Sequence, residues 1–207
     1  MRPLPRVHAF TNSELLAAPE FGIRAAAIAA AGSAVALHAR ARGGSGRLLE
    51  TGALRLISLA RPPEAAVFVS ARPDIAAATG AHGVQLATDD LTPGEARAVF
   101  PSGWIGSSVH SRDESIAALD QGADFLVVGN IYETGSHPGR PAAGLSLVRA
   151  AADLGRPVIA IGGITAERAA EVRSAGAYGV AAIRALWNAP DPAAATLALL
   201  SPWASDS

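Results

Sequence analysis

The stretch Pro157-Val-Ile-Ala-Ile-Gly-Gly-Ile-Thr165 contains the pattern from which the fold of this chain can be predicted. Its first half, Val158–Ile161, is a short, apolar and β-branched run, which is typical of a buried parallel strand. Two glycines follow, and Thr165-Ala-Glu-Arg168 then supplies the start signal of a helix that ends near Gly176. The stretch therefore predicts a strand, a tight loop and a helix in that order.

The same unit recurs along the whole chain. Short apolar runs bounded by Gly, Pro, Ser or Asp are the candidate strands: Val7–Phe10, Ala34–Leu37, Ala66–Ser70, Gly83–Leu86, Ile105–Ser108, Phe125–Val128, Val158–Ile161 and Gly179–Ala182. The stretches between and after them predict helices: Glu20–Ala31, Gly46–Leu59, Asp74–Thr79, Thr92–Val99, Arg112–Gln121, Leu145–Leu154, Thr165–Ala175 and Pro192–Leu200. Because parallel neighbours need a crossover connection, this alternation predicts a parallel sheet covered by helices.

Eight strand–helix units predict an α/β fold of the closed (β/α)8 TIM barrel type, for which a length of 207 residues lies near the lower limit of about 200. We expect a single domain over 1–207, with the first strand starting near residue 7 and the last helix ending near residue 200. The alternative is an open doubly wound sheet, which would show Gly-x-Gly-x-x-Gly after the first strand. Phe10-Thr-Asn-Ser13 has no such glycines, so the barrel is favoured.

The composition narrows the chemistry open to the chain. Half of the residues are hydrophobic and 17% are charged, which is enough apolar material for a large core. The chain has no cysteine and all 17 basic residues are arginine, which excludes thiol nucleophiles, thiolate metal sites and lysine Schiff bases. A net charge of −1 without a basic cluster predicts no nucleic-acid binding. With no apolar stretch of roughly 18–20 residues and no signal-peptide pattern, we expect a cytoplasmic protein that does not enter the membrane.

The candidate site lies where the strands end, because catalytic groups of such barrels come from the carboxyl ends of strands and the loops after them. The loops after strands seven and eight, with Gly162-Gly163 and Ile183-Arg184, predict a phosphate site built from backbone N–H groups. The alternative is that the two glycines only turn the chain tightly. The long loop after strand six, 129–144, predicts either a lid at Gly135–Ala143 or an idle insert.

Five segments carry a resemblance to a known family. They are Val7-His-Ala-Phe-Thr11, Ser107-Ser-Val-His-Ser111, Gly122-Ala-Asp-Phe125, Gly129-Asn-Ile-Tyr-Glu-Thr134 and Pro157-Val-Ile-Ala-Ile-Gly-Gly-Ile-Thr165. In order and spacing they resemble the thiamine phosphate synthase superfamily from about residue 7 to residue 187. The resemblance implies a (β/α)8 barrel, in agreement with the alternation. It also implies one of two activities, since a synthase branch joins a pyrimidine pyrophosphate to a thiazole phosphate with Mg²⁺, whereas TenI-like tautomerases isomerise a carboxylated thiazole phosphate without metal.

The positions that match the metal-binding motifs of the synthase branch favour the tautomerase. Ser70-Ala71-Arg72 stands where the synthase has an Mg²⁺-binding aspartate, although Asp90 keeps the second one. A single protein carboxylate would hold Mg²⁺ weakly. His38-Ala39-Arg40 replaces Arg-Glu-Lys, and His137 replaces a lysine that contacts pyrophosphate. We therefore expect no cofactor, with Mg²⁺ only if the chain is a synthase.

Other segments resemble the tautomerase branch more closely: Val84-Gln-Leu86, Ile131-Tyr-Glu-Thr134 and Gly144-Leu-Ser-Leu147. The resemblance thus implies a thiazole tautomerase, an isomerase of thiamine biosynthesis. One departure is that Asn130 stands where the tautomerase has its proton-transferring histidine, and asparagine cannot shuttle a proton near pH 7. The alternatives are thiamine phosphate synthase and a catalytically inactive binder of thiazole phosphate.

The resemblance and the barrel geometry together give a set of site residues. His38 and Asn130 are the catalytic candidates, and His38 is expected to point into the barrel mouth and act as the base, unless it merely packs there. Substrate contacts are expected from Arg40, Ser108, Thr134 and His137. Phosphate is expected at Gly144, Gly163, Ile183 and Arg184. His110 is expected to make a structural hydrogen bond. The expected partners are a thiazole phosphate and a second copy of the chain in a homodimer.

Overall fold

The structure, a computed structural model, describes residues 2–60, 64–134 and 141–206, and its strands form a closed barrel in the order β1 to β8. Every neighbouring pair of strands is parallel, and β1 pairs with both β2 and β8. The strands are β1 Val7–Phe10, β2 Val35–Ala39, β3 Ala66–Ser70, β4 Gly83–Leu86, β5 Trp104–Val109, β6 Phe125–Val128, β7 Val158–Ile161 and β8 Gly179–Ala182. The predicted (β/α)8 barrel is confirmed.

The helices cover the outside of the barrel. They are α1 Ser13–Ala17, α2 Phe21–Ala29, α3 Gly46–Ala60, α4 Pro73–Thr79, α5 Pro93–Val99, α6 Arg112–Asp120, α7 Gly144–Ala152, α8 Ala166–Ser174, α9 Arg184–Trp187 and α10 Pro192–Leu200. Helices α1 and α9 were not predicted, because one or two turns are too short to show a helical period. Thr165 caps α8 as expected, since its side chain accepts a hydrogen bond from the N–H of Arg168.

The interior of the barrel is filled by inward-facing residues of alternate strand positions. Large rings on some strands face glycines on their neighbours. A Cβ atom on Gly83 would lie 2.3 Å from the Phe68 ring, and one on Gly106 would lie 2.1 Å from the Phe125 ring. These glycines therefore make room for the two aromatic side chains, which are fully buried and belong to one cluster.

Strand β2 differs from its prediction, and the difference matters for the site. The apolar run predicted Ala34–Leu37, but the strand continues through His38 to Ala39. His38 is therefore an interior residue of the strand. Among the described residues, no helix is long and apolar enough to cross a membrane.

Candidate active site

A cavity of about 1190 Å³ opens at the carboxyl ends of the strands. This volume exceeds the roughly 300–1000 Å³ that is usual for one small ligand. Its wall combines apolar side chains from the strands with four arginines and three carboxylates from the loops and helices that follow them: Arg40, Arg42, Arg168, Arg184, Asp89, Glu114 and Glu133. The cavity can therefore accept large anionic ligands.

The polar floor of the cavity is formed by β4 and β5. The side-chain amide of Gln85 donates to the Ser108 Oγ at 2.6 Å and to the carbonyl of Leu86 at 2.7 Å. Gln85 is buried, so both hydrogen bonds hold it in one orientation. The Ser108 hydroxyl is fixed in turn and is available to hydrogen-bond a ligand.

The loops after β6 and β7 are packed tightly against each other. The N–H of Ile131 donates to the Ile161 carbonyl at 2.9 Å, and the N–H of Tyr132 donates to the Gly162 carbonyl at 3.0 Å. Gly162 and Gly163 have φ values of 100° and 65°. A Cβ atom on Gly163 would lie 2.8 Å from the carbonyl oxygen of Glu133. The two glycines therefore serve loop packing as well as lining the cavity.

Helix α8 holds this loop junction through a group that the sequence reasoning missed. The Arg168 guanidinium donates to the Gly163 carbonyl at 2.7 Å and lies 4.3 Å from the centre of the Tyr132 ring. The Tyr132 hydroxyl donates to Glu171 at 2.8 Å. Burial, and then the Glu171 carboxylate, raise the pKa of Tyr132 to about 12, so the hydroxyl stays protonated at neutral pH. The available signal was an arginine in the first turn of the helix that follows Gly162-Gly163.

Strand β1 lies between β2 and β8. The loop after β2 places two guanidinium groups on one side of β1, and the loop after β8 lies on the other side. Arg42 forms an ion pair with Asp89 at 3.4 Å. The pKa of Arg40 is lowered, first by burial and then by the like charge of Arg42, and Asp90 offsets part of this. Arginine nevertheless stays protonated near neutral pH. This flank of the cavity therefore carries a half-buried positive charge.

His110 is the histidine that the described wall of the cavity contains. Its Nδ1 is hydrogen-bonded to the carbonyl oxygen of Gly129, and its backbone N–H donates to Glu114 at 2.7 Å. A carbonyl oxygen can only accept, so Nδ1 carries the hydrogen. The expected structural hydrogen bond of His110 is present.

Most of the predicted site residues lie together on the cavity wall: Arg40, Ser108, Asn130, Thr134, Gly163, Ile183 and Arg184. Gly144 does not line it, and its N–H donates to the Ile131 carbonyl at 3.1 Å, so this N–H already has a partner within the fold. The prediction that Gly144 contacts phosphate is therefore corrected. His137 and most of the Gly135–Ala143 lid lie outside the described residues.

The expected position of His38 in the barrel mouth is also corrected. His38 is fully buried and stacks between Phe10 and Phe68, at ring-centre distances of 3.9 and 4.9 Å. Phe10 lines the cavity whereas His38 does not, so the phenyl ring lies between the imidazole and the mouth. Burial, aided by His8 and Arg40, lowers the pKa of His38 well below 6.5. These positions give His38 a packing environment rather than access to a substrate.

The hydrogen bonds of the buried histidine pair define its protonation. His8 Nε2 lies 3.1 Å from the Pro5 carbonyl oxygen, so Nε2 carries the hydrogen. His8 Nδ1 then accepts from His38 Nε2 at 2.8 Å. His38 Nδ1 is left as an unprotonated acceptor that has no partner among the described residues. Both imidazoles are therefore neutral in the folded protein.

The residues do not form the Mg²⁺ site that the resemblance implies for a synthase. Ala71 offers no ligand atom, and the remaining carboxylate, Asp90, accepts a hydrogen bond from the Ala87 N–H at 2.7 Å. In the described ranges, no three His, Asp or Glu side chains come together in a way that could hold a metal. The donor set is thus one carboxylate that is already engaged with the backbone, and we derive no step through Mg²⁺.

Comparisons with known proteins agree with this architecture. The family model described as thiamine monophosphate synthase matches residues 8–186. A thiamine-phosphate synthase of Thermus thermophilus is 47% identical over 147 residues, covering 70% of this chain and 71% of that protein. The corresponding protein of Chlorobium phaeovibrioides is 42% identical over 172 residues, covering 82% of each chain. Among solved structures, a thiamine phosphate pyrophosphorylase of Pyrococcus furiosus has a TM-score of 0.82 at 31% identity and covers 95% of this chain and 94% of its own.

These relatives overturn one expectation and confirm another. The predicted superfamily is confirmed. The predicted thiazole tautomerase activity is wrong, because relatives that are 40–47% identical are thiamine-phosphate synthases. The TenI-like branch, inferred from three short segments and the loss of synthase motif residues, is not supported by similarity over the greater part of the chain.

Proposed function

This chain belongs to the thiamine monophosphate synthase family, and on that premise we propose that it is a transferase, joining a pyrimidine diphosphate to a thiazole phosphate. The observation that carries the proposal is the cavity of about 1190 Å³, with arginines on both flanks of β1. Two phosphorylated substrates need more room than one ligand and need two cationic regions.

The reaction requires charge stabilisation more than proton transfer. A carbon–nitrogen bond forms between the pyrimidine methylene carbon and the thiazole nitrogen, and the carbon–oxygen bond to diphosphate breaks. The electron pair of that bond leaves with the diphosphate, and the thiazole becomes a cation. No proton moves at the reacting atoms. Guanidinium groups that are fixed beside the leaving group lower the barrier by stabilising the developing negative charge.

We assign the two substrates to the two flanks of the cavity. The phosphate of the thiazole lies near Gly163, Ile183 and Arg184, where the β7 and β8 loops provide backbone N–H groups and a guanidinium. The diphosphate lies on the flank that carries Arg40. The rings lie between the two phosphorylated groups, and Ser108, Asn130 and Thr134 of the cavity wall are the polar side chains offered to them.

The experiment is a coupling assay with purified protein and both substrates, in which thiamine phosphate and released diphosphate are measured together. Arg184→Ala should lower kcat/KM about tenfold, as expected for loss of one charge-assisted contact. Arg47→Ala is the matched control, because it removes the same charge from an exposed position on α3 outside the cavity. Absence of product above the uncatalysed background would refute the proposed activity.

The cytoplasmic location and the homodimer remain proposals. A sedimentation measurement over a range of protein concentrations tests the homodimer, and a single species with the mass of one chain, 20.9 kDa, would argue against it.

A further inference from the structure

The end of β2 fixes the backbone from which the Arg40 side chain extends. Thr11 is fully buried, and its hydroxyl accepts from the Arg40 N–H at 2.9 Å and donates to the His38 carbonyl at 2.8 Å. These bonds tie β1 to the backbone of Arg40. The side chain of Arg40 therefore leaves a rigid point on the barrel rim and reaches the cavity wall.

The charge of Arg40 is not neutralised by an ion pair. In the part of the chain that the structure describes, no carboxylate lies within 4 Å of its guanidinium, whereas Arg42 is paired with Asp89. Burial, and then the like charge of Arg42, lower the pKa of Arg40, and Asp90, which does not lie within 4 Å of the guanidinium, offsets part of this shift. Holding a partly desolvated cation beside a second cation costs free energy. A multivalent anion bound between them would offset that cost.

The neighbouring strand ends keep only one of the two carboxylates that the resemblance assigns to Mg²⁺. Ala71, directly after β3, stands where the resemblance places one Mg²⁺ ligand, and its side chain is a methyl group. Asp90 is engaged with the Ala87 N–H. Mg²⁺ is usually held by one or two carboxylates in addition to phosphate oxygens, and here the motif keeps one carboxylate instead of two, with one of its oxygens already accepting from the Ala87 N–H.

We propose that this chain binds the diphosphate of its substrate through the guanidinium groups of Arg40 and Arg42, without a divalent cation. The inference rests on the proposed function, from which the diphosphate comes. Arginine suits the task because its planar fork can bind two phosphate oxygens at once. One of the two metal-binding carboxylates and the lysines of the synthase motif have been replaced here, and guanidinium groups provide the positive charge on this flank.

The test is calorimetric titration of inorganic diphosphate into the full chain at constant ionic strength, once with excess EDTA and once with excess Mg²⁺. We expect diphosphate to bind in EDTA with a Kd at most about threefold higher than the Kd in Mg²⁺. Arg40→Ala should weaken diphosphate binding about 10- to 100-fold. Arg40→Lys should have a Kd between those of Arg40→Ala and the unchanged chain, because it keeps the charge but loses the planar fork of the guanidinium. Arg47→Ala should leave the Kd unchanged, and thermal melts show whether each variant is folded.

A gain-of-function variant makes the test independent of damaged folding. Ala71→Asp restores the missing carboxylate, and its φ of 66° is a conformation that aspartate tolerates better than alanine. This variant should bind diphosphate at least about tenfold more tightly with Mg²⁺ than with EDTA. Binding by the unchanged chain that needs Mg²⁺, no binding in either buffer, or an Arg40→Ala variant that binds normally would each overturn the inference. The coupling assay is read separately, so diphosphate binding without product would refute the proposed reaction and leave the anion site standing.

Discussion

Lowering the pH from about 6.5 to 4 should destabilise the barrel through the buried pair of His8 and His38. Both imidazoles are neutral in the fold, and burial lowers both pKa values. In the unfolded chain the same groups titrate near their ordinary pKa of about 6.5. Between pH 6.5 and about 4, the lowered pKa of His8, the unfolded state therefore binds more protons than the folded state. The free energy of unfolding therefore falls as the pH falls through this window, and is unaffected by the pair above it.

The magnitude follows from His8, whose pKa is lowered from 6.5 to about 4. One pKa unit corresponds to about 1.4 kcal/mol, so His8 alone should contribute a loss of about 3 kcal/mol across the window. His38 adds to the loss in the same direction. A domain with a stability of about 5–15 kcal/mol would lose a substantial part of it.

Urea denaturation at several pH values between 7 and 4 measures this loss. The informative variant is His8→Leu/His38→Leu, because replacing both partners of a buried hydrogen bond by apolar groups of similar size leaves neither of them unsatisfied. We expect this variant to lose the pair's contribution to the slope between pH 6.5 and 4. If the double variant follows the same pH dependence as the unchanged chain, the pair is not the source of the acid sensitivity and the reasoning fails.

Two further predictions test the packing of the barrel and of the loop junction. Gly106→Ala places a methyl group against the Phe125 ring and should lower the free energy of unfolding by about 1–3 kcal/mol. The control Gly94→Ala, at an exposed position in α5, should raise the free energy of unfolding by up to about 1 kcal/mol. Thermal unfolding measures both variants. Tyr132→Phe removes the hydrogen bond to Glu171 and should raise the KM for the thiazole phosphate about threefold with little change in kcat, because it loosens the loop and leaves the reacting atoms untouched. A kcat that falls while KM stays constant would contradict the second.

The fold could be predicted because the strands of this barrel are short, apolar and bounded by residues that cannot continue them. Six strands begin and end where the sequence places them, Phe125–Val128 and Val158–Ile161 among them. The predicted strand β2 ends before His38 because histidine is a polar residue, although in the fold His38 lies between two phenyl rings. Helix α9 could not be predicted because it contains only four residues, too few to show a helical period.

The residues on the cavity wall could be predicted in part, from the barrel fold and not from local sequence patterns. The rule that catalytic groups follow the strands placed Arg40, Ser108 and Arg184 on one cavity. It could not show which backbone N–H groups the fold uses itself, as it does that of Gly144. It also could not reveal Arg168, since this side chain reaches the cavity from the first turn of a helix rather than from a strand end.

The expectation that His38 acts as a base holds only for a reaction that needs proton transfer. Asn130 on the cavity wall and a buried, neutral His38 are both unsuited to proton transfer near pH 7. For a tautomerase these two positions would be a defect that another residue had to correct. For a coupling reaction that breaks a carbon–oxygen bond and releases diphosphate they are no defect, because the demand falls on cationic groups beside the leaving group. If the proposed function holds, we expect this demand to fall on the half-buried Arg40, whose backbone N–H donates to Thr11 and whose guanidinium has no carboxylate within 4 Å in the described ranges.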